Sequence, residues 1–316
     1  MIRVEGLSAA LPQGQALRDV SLSVARGERL GLVGESGSGK SMLGLALMGM
    51  VPDAAQLSGR IALDGQDMTG ATEAAWQPLR ARKVAMIFQE PMTALDPLVR
   101  IGETVMEPLI LHLKMRRRDA RARALDLLAE TGLTEPEAKM RQYPHQLSGG
   151  QRQRVLIALA LACDPGVLIA DEPTTALDAQ IALRITDLLV RLSRDRGMAL
   201  IFISHDLAAV ARATERLAVM YGGDLVETGA TAEVLANPRH PYTQGLIAAR
   251  PRPDPAMIRK RLPVIPGTVP TLGDLPRGCR FAGRCAAELP RCAGTRPAPW
   301  PTASGQAACH LLEPAP

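Results

Sequence analysis

The stretch GESGSGKS, Gly34–Ser41, follows the apolar run RLGLV at 29–33 and fits the pattern G-x-x-x-x-G-K-[ST]. The strand before it and a helix expected to start near Lys40 give the pattern its context. Gly34, Gly37 and Gly39 let the backbone N–H groups around Glu35, Ser36 and Ser38 turn toward an anion, and the helix adds the positive end of its dipole. Lys40 can reach β- and γ-phosphates, and the Ser41 hydroxyl is placed to ligate Mg²⁺. A nucleoside triphosphate is therefore expected here.

Such a loop needs acidic chemistry elsewhere, and GVLIADEP at 166–173 supplies it. Asp171 can hold Mg²⁺ through its water shell, while Glu172 can point at the attacking water as general base or water-positioner. An acidic pair after a strand is by itself as consistent with a turn or a helix cap. In QLSGGQRQRV at 146–155, Ser148, Gly149 and Gly150 stand before a long helical run. Ser148 reads as an N-cap, and the same small residues at a helix N-terminus also make an anion site. Two phosphate sites on separate helices suggest one ATP gripped by both, across a dimer if they lie too far apart in one chain.

Farther out, ERLGLVG, KVAMIFQ, GVLIADEP and MALIFISHD alternate with helical patterns up to about Leu235, which predicts an α/β layered domain over 1–235. From Asn237 the texture changes to NPRHPYTQ, RPRPDP and LPVIPGTVPTLGDLP. Proline at that density disfavours long elements, so 236–316 reads as a linker and a small irregular module. The basic run at 114–124 reads as the solvated face of a helix. A net charge of +5 from 37 basic and 32 acidic residues is too mild to demand nucleic acid. The N-terminal residues lack the pattern of a secretory signal, and the longest apolar run, VLIALALAC at 155–163, is far short of a bilayer span. A reducing compartment follows as the expectation, with thiols or metal ligands rather than disulfides.

In this order the motifs resemble the ATP-binding subunits of ATP-binding cassette (ABC) transporters, over essentially the whole chain. The resemblance implies an ABC-type P-loop NTPase domain, α/β with a mixed sheet and a helical subdomain at about 90–160, followed by an irregular cysteine-containing extension. It identifies Gln89 in MIFQEP as the Q-loop glutamine sensing Mg²⁺ and water, and LSGGQ with Ser148, Gly149, Gly150 and Gln151 as the signature. Asp178 in ALD couples the halves of a dimer, and His205 in FISHD bonds the γ-phosphate. The aromatic on which such proteins stack adenine is missing, since its place falls near Leu11 in SAALPQG, so apolar packing on Leu11 is expected to hold the base. The segment between Gln89 and the signature is where membrane subunits are expected to dock. DNA-repair relatives carry a coiled-coil insertion and translation relatives a second cassette, and neither is present. Intact Glu172 and His205 argue against a module that binds ATP without turnover.

The tail narrows the subfamily. NPRHPYTQGLIAARPR, IPGTVPTL and GCRFAGRC with its later RC and ACH look like the C-terminal extension of dipeptide and oligopeptide importer ATPases. That likeness implies a peripheral subunit on the cytoplasmic face of a bacterial inner membrane. Its partners would be a second, distinct ATPase in a heterodimer, two permease subunits and an extracytoplasmic solute-binding protein. Relatives with such tails also move glutathione or nickel complexes. Cys279, Cys285, Cys292 and Cys309 are spaced C-x5-C-x6-C-x16-C, which matches neither zinc ribbons nor the usual ferredoxin runs. Four thiolates suit an iron–sulfur cluster or Zn²⁺, and four reduced thiols packed as small hydrophobes remain the other reading. The resemblance points to a [4Fe–4S] cluster.

Overall fold

Short, wholly apolar runs and alternating ones sort this chain into two sheets. In the computed structural model, which describes residues 1–89, 94–250 and 263–313, the first sheet is antiparallel. It orders β2 (Gly14–Val24), β1 (Ile2–Leu11), β4 (Gln56–Leu63) and β5 (Gln66–Asp67) side by side. β1 alternates buried and exposed residues, as a strand with one solvated face does.

The second sheet is mixed. Its parallel core runs β9 (Arg216–Tyr221), β3 (Arg29–Val33), β8 (Ala199–Ile203), β7 (Val167–Asp171) and β6 (Val84–Ile87). β3, β6, β7 and β8 are buried along their whole length, because layers cover both of their faces. One side is covered by the antiparallel sheet and α1 (Lys40–Leu47), where Leu7, Leu17, Leu32, Leu43, Ile169 and Ile203 share a core; the short α2 (Glu73–Trp76) adds Trp76 to it. The other side meets α3 (Ile101–Leu113), α4 (Arg117–Glu130), α6 (Gly149–Ala160), α7 (Ala179–Arg196) and α8 (Leu207–Ala213). The short α5 (Pro136–Lys139) joins α4 to this helical group. In α4 the basic run faces outward while Ala120, Ala124, Leu127 and Leu128 are buried.

Beyond β9 the chain turns back as β10 (Asp224–Ala230), antiparallel to β9, and continues into α9 (Thr231–Ala236) and α10 (Pro241–Ala248). The cysteine-bearing segment then adds β12 (Gln306–Ala308) to β10 and β11 (Pro299–Pro301) to β12, so the last residues extend the main sheet. Arg18 pairs with Asp224 and donates to the carbonyl of Gly278 at 2.8 Å, and Arg280 donates to the carbonyls of Gln15 and Gly222. The predicted linker residues 251–262, and 90–93 at the start of the helical segment, lie outside the described residues. Among the described residues no helix is long and apolar enough to cross a membrane.

Candidate nucleotide site

Four adjacent parallel strands deliver the chemistry. β3, β8, β7 and β6 end on the same edge, and the residues that follow them are respectively the glycine-rich loop, His205, Glu172 and Gln89. Ligands of open parallel sheets lie at this carboxyl edge, where the strand order reverses. A pocket of about 740 Å³ opens there, lined by the loop from Glu35 to Ser41 together with Leu11, Ala16, Met42, Gln89, Glu172, His205 and Leu272.

The loop's shape follows from its glycines. Gly39 caps α1 at φ 96° and no side chain caps the helix, so its first N–H groups face the loop. A Cβ at Gly34, φ 155°, would stand 2.2 Å from the Met220 carbonyl. Lys40 is buried and curls over the loop, its Nζ donating to the carbonyls of Gly34 at 2.7 Å and Glu35 at 2.9 Å. Burial lowers its pKa, and Glu172, Asp171 and Glu35 pull it back up. A phosphate entering the loop would take over as the ammonium's partner.

Asp171 closes β7 and is buried. Burial pushes its carboxyl up, against the pull of a hydrogen bond from Ser41 and the charge of Lys40, and its Oδ1 has no hydrogen-bond partner. An orphaned buried carboxylate oxygen beside a hydroxyl fits Mg²⁺, whose remaining ligands are water and phosphate oxygens. Glu172 adopts φ 50°, a left-handed conformation that is uncommon outside glycine. Its amide donates to the Ile203 carbonyl at 3.0 Å, its carboxylate lies 2.8 Å from His205 Nδ1, and the Thr175 hydroxyl donates to it at 3.0 Å. His205 itself is exposed.

Ser148, Gly149, Gly150, Gln151 and Asp178 are absent from the lining of this pocket. Ser148 caps α6 and forms a reciprocal capping box with Gln151, at 3.3 and 3.0 Å. Asp178 caps α7 through the amides of Gln180 and Ile181. The structure thus gathers the loop, Gln89, Asp171, Glu172 and His205 in one place and leaves the signature elsewhere on the same chain.

Leu11 stands at the apolar end of the pocket with Ala16 and Leu272. Leu11→Tyr should therefore tighten ATP binding by about 0.5–1.5 kcal/mol, roughly two- to tenfold in Kd. Equilibrium titration with ATP checks this, and an unchanged Kd would count against a base at this wall. Leu272, Tyr242 and Arg284 also belong to the surroundings of the loop, and no local pattern in the sequence points to them.

The expectation of an iron–sulfur cluster or zinc on the cysteines is overturned. The four sulfurs line one pocket, but among the described residues no group of three or more His, Cys, Asp or Glu side chains is arranged to hold a metal ion. The space between them is about 10 Å³, room for a single water at most, and Phe281, Ala282 and Leu311 fill out its wall. Burial pushes Cys279 up to about 12 and raises Cys285 and Cys309 as well, which favours their neutral thiols in this apolar surround. They pack as small apolar groups. Gly283 has φ 82° and donates its N–H to Glu288 at 2.6 Å, neither of which proline could supply.

His240 borders the same space. Its Nδ1 accepts the Tyr242 amide at 3.0 Å, its Nε2 is buried without a partner, and burial lowers its pKa from 6.5 to about 4. The folded protein holds this ring neutral, whereas the unfolded chain takes a proton below pH ~6.5. Stability present above that pH is consequently lost as the pH falls toward 4, by an amount on the order of 3 kcal/mol. His240→Asn keeps a capping acceptor and should flatten the dependence; denaturant midpoints from pH 7 to 4 that fall equally in both proteins would refute it.

Fold and site together define a P-loop ATPase: a parallel sheet presents a glycine-rich loop with its lysine, a buried aspartate and a carboxylate–imidazole pair at one edge. Residues 17–175 match the family described as ABC transporter, and residues 226–292 the family described as oligopeptide/dipeptide transporter, C-terminal region. The chain is 48% identical to the probable D,D-dipeptide transport ATP-binding protein DdpD of Escherichia coli over 88% of its own length and 84% of that protein's. It is 43% identical to the oligopeptide transport ATP-binding protein AppD of Bacillus subtilis, over 94% of the chain and 91% of the relative. Among solved structures, the dimeric ATP-binding cassette MJ0796 bound to ADP and phosphate superposes with a TM-score of 0.66 at 31% identity, over 73% of this chain and 99% of that one. The chain belongs to the ABC transporter family of ATP-binding subunits.

Proposed function

We propose that the chain is the ATP-hydrolysing subunit of a bacterial ABC importer that takes up dipeptides or oligopeptides. The single observation that carries the peptide assignment is the match of residues 226–292 to the oligopeptide/dipeptide C-terminal region, a segment separate from the catalytic motifs. The peptide transport names of the relatives support it.

In this reading ATP lies with its phosphates on the N–H groups of the loop from Gly34 to Ser41, its charge met by Lys40, and its base against Leu11. Ser41 and Asp171, with Gln89 nearby, would hold Mg²⁺, which would supply neutralisation of the phosphate charge. Glu172 orients the attacking water and accepts its proton, and His205 holds Glu172 and reaches the γ-phosphate. The signature of a second subunit, with its Ser148 and two glycines at a helix N-terminus, covers the same ATP from the other side. Its absence from the lining of the chain's own pocket supports this, as does the dimeric state named for the cassette MJ0796.

ATP closes the pair and hydrolysis reopens it, which drives two permease subunits at the cytoplasmic face of the inner membrane. The partner ATPase is a distinct chain, and an extracytoplasmic binding protein delivers the solute. Exposed Leu98, 84% accessible, and Leu111 on α3 support docking of the membrane subunits on the helical segment. The test is ATPase stimulation in the assembled complex with its binding protein. Di- and oligopeptides should stimulate, and stimulation by glutathione or a nickel complex instead would move the assignment to that solute.

A further inference from the structure

The phosphate loop is gripped from outside the cassette core. Glu35, the second residue of the loop, offers its amide to the Tyr242 hydroxyl at 2.7 Å. Its carboxylate is taken at both oxygens by Arg284, with Nη1 to Oε2 at 2.8 Å and Nη2 to Oε1 at 3.1 Å. The remaining guanidinium hydrogens are spent as well. Nη1 donates to the Tyr221 hydroxyl at 3.1 Å, Nε to the Pro266 carbonyl at 2.7 Å and Nη2 to the Gly267 carbonyl at 3.2 Å. All five N–H donors of this buried arginine are therefore used: two on Glu35 of the loop, two on the stretch that begins at Pro266 and one on Tyr221 of β9.

That stretch leads directly into the pocket. The Thr271 hydroxyl bonds the Asp274 carboxylate at 2.6 Å, and the Asp274 amide donates to the Thr271 carbonyl at 3.0 Å, closing a turn around Leu272. The turn presses on the β1–β2 connection, where a Cβ on Gly14 would meet the Leu272 carbonyl at 2.5 Å. Leu272 consequently faces Leu11 and Ala16 across the apolar end of the pocket, where the stacking aromatic is absent.

We propose that the C-terminal segment is a working part of the nucleotide site, with Leu272 as a contact for the base and Arg284 as a positioning residue that sets the phosphate loop through Glu35. The proposal rests on the reading of this pocket as the ATP site. It separates two contributions: Leu272 senses only a ligand that has a base, whereas Arg284 acts on anything that binds through phosphates. A lysine at 284 would keep the charge but could not hold both carboxylate oxygens and both carbonyls.

The test measures binding of ATP and of inorganic tripolyphosphate to the full chain, both by calorimetric titration. Leu272→Ala should weaken ATP about three- to tenfold and leave tripolyphosphate unchanged. Arg284→Lys should weaken both ligands about tenfold. Glu35→Gln, which leaves the segment itself intact, should do the same, and the double variant should add little to either single loss. Equal effects of Leu272→Ala on the two ligands, or none, would overturn the base contact. Tripolyphosphate binding unaffected by Glu35→Gln, or additive losses in the double variant, would overturn the positioning role. Lys40→Ala serves as the control: if ATP still binds normally, the pocket itself is misread, an outcome distinct from failure of the variants in the segment.

Discussion

Glu172→Gln lowers ATP turnover by about 10²–10⁴-fold while ATP binding is retained, the expected cost of removing a general base. The amide is isosteric, so the left-handed backbone at 172 and the bond from Thr175 to the side chain are kept. What is lost is the ability to take a proton from water and the charge that faces His205 at 2.8 Å. ATP should accordingly accumulate in the closed pair, visible as an ATP-dependent species on gel filtration of the complex and as a loss of single-turnover hydrolysis. Turnover at the wild-type rate would remove Glu172 from this role.

Ser148→Arg abolishes cooperative turnover, with a drop of about 10²–10³-fold, and spares ATP binding to the isolated chain. The size follows if the N-terminus of α6 is the anion site proposed above, which a long side chain would fill. The separation of the two readouts follows from placement, since Ser148 lines no part of the chain's own pocket. Gly150 shows how little room there is nearby: a Cβ would lie 2.9 Å from Ile181 on α7. Equilibrium titration of ATP to the single chain and steady-state hydrolysis in the complex are the paired measurements. Loss of binding in the isolated variant would mean that the signature acts within one chain.

The catalytic edge was legible because each of its parts is contiguous. A phosphate loop needs glycines, a lysine and a hydroxyl within one turn, and an apolar run ending in Asp171-Glu172 announces a buried strand that delivers two carboxylates. Ser148 and Asp178 illustrate the ambiguity of such signals. Both are helix caps in the structure, and capping and anion binding draw on the same free N–H groups. The cysteines show where the local signal misled: four thiols do converge, yet into a space of about 10 Å³ packed with apolar groups. Spacing along the chain reports how many sulfurs can meet, and the space the fold leaves between them decides what they can hold.

RLGLV and GESGSGKS together were enough to specify a strand, a glycine-rich loop and a helix, since those depend on backbone conformations that neighbouring residues dictate. The grip on that loop had no such signature. Arg284 and Glu35 are 249 residues apart, and an arginine among cysteines and glycines looks like any surface charge until the fold buries it. Long-range packing of β12 on β10 carries the C-terminal residues back to the sheet, and β1–β2 leaves a glycine at 14 against which Leu272 can rest. Sequence neighbours thus account for the shape of the loop, while Leu272 at its pocket and the partners of Glu35 came from distant segments that only the closed sheet brings within hydrogen-bond and van der Waals reach.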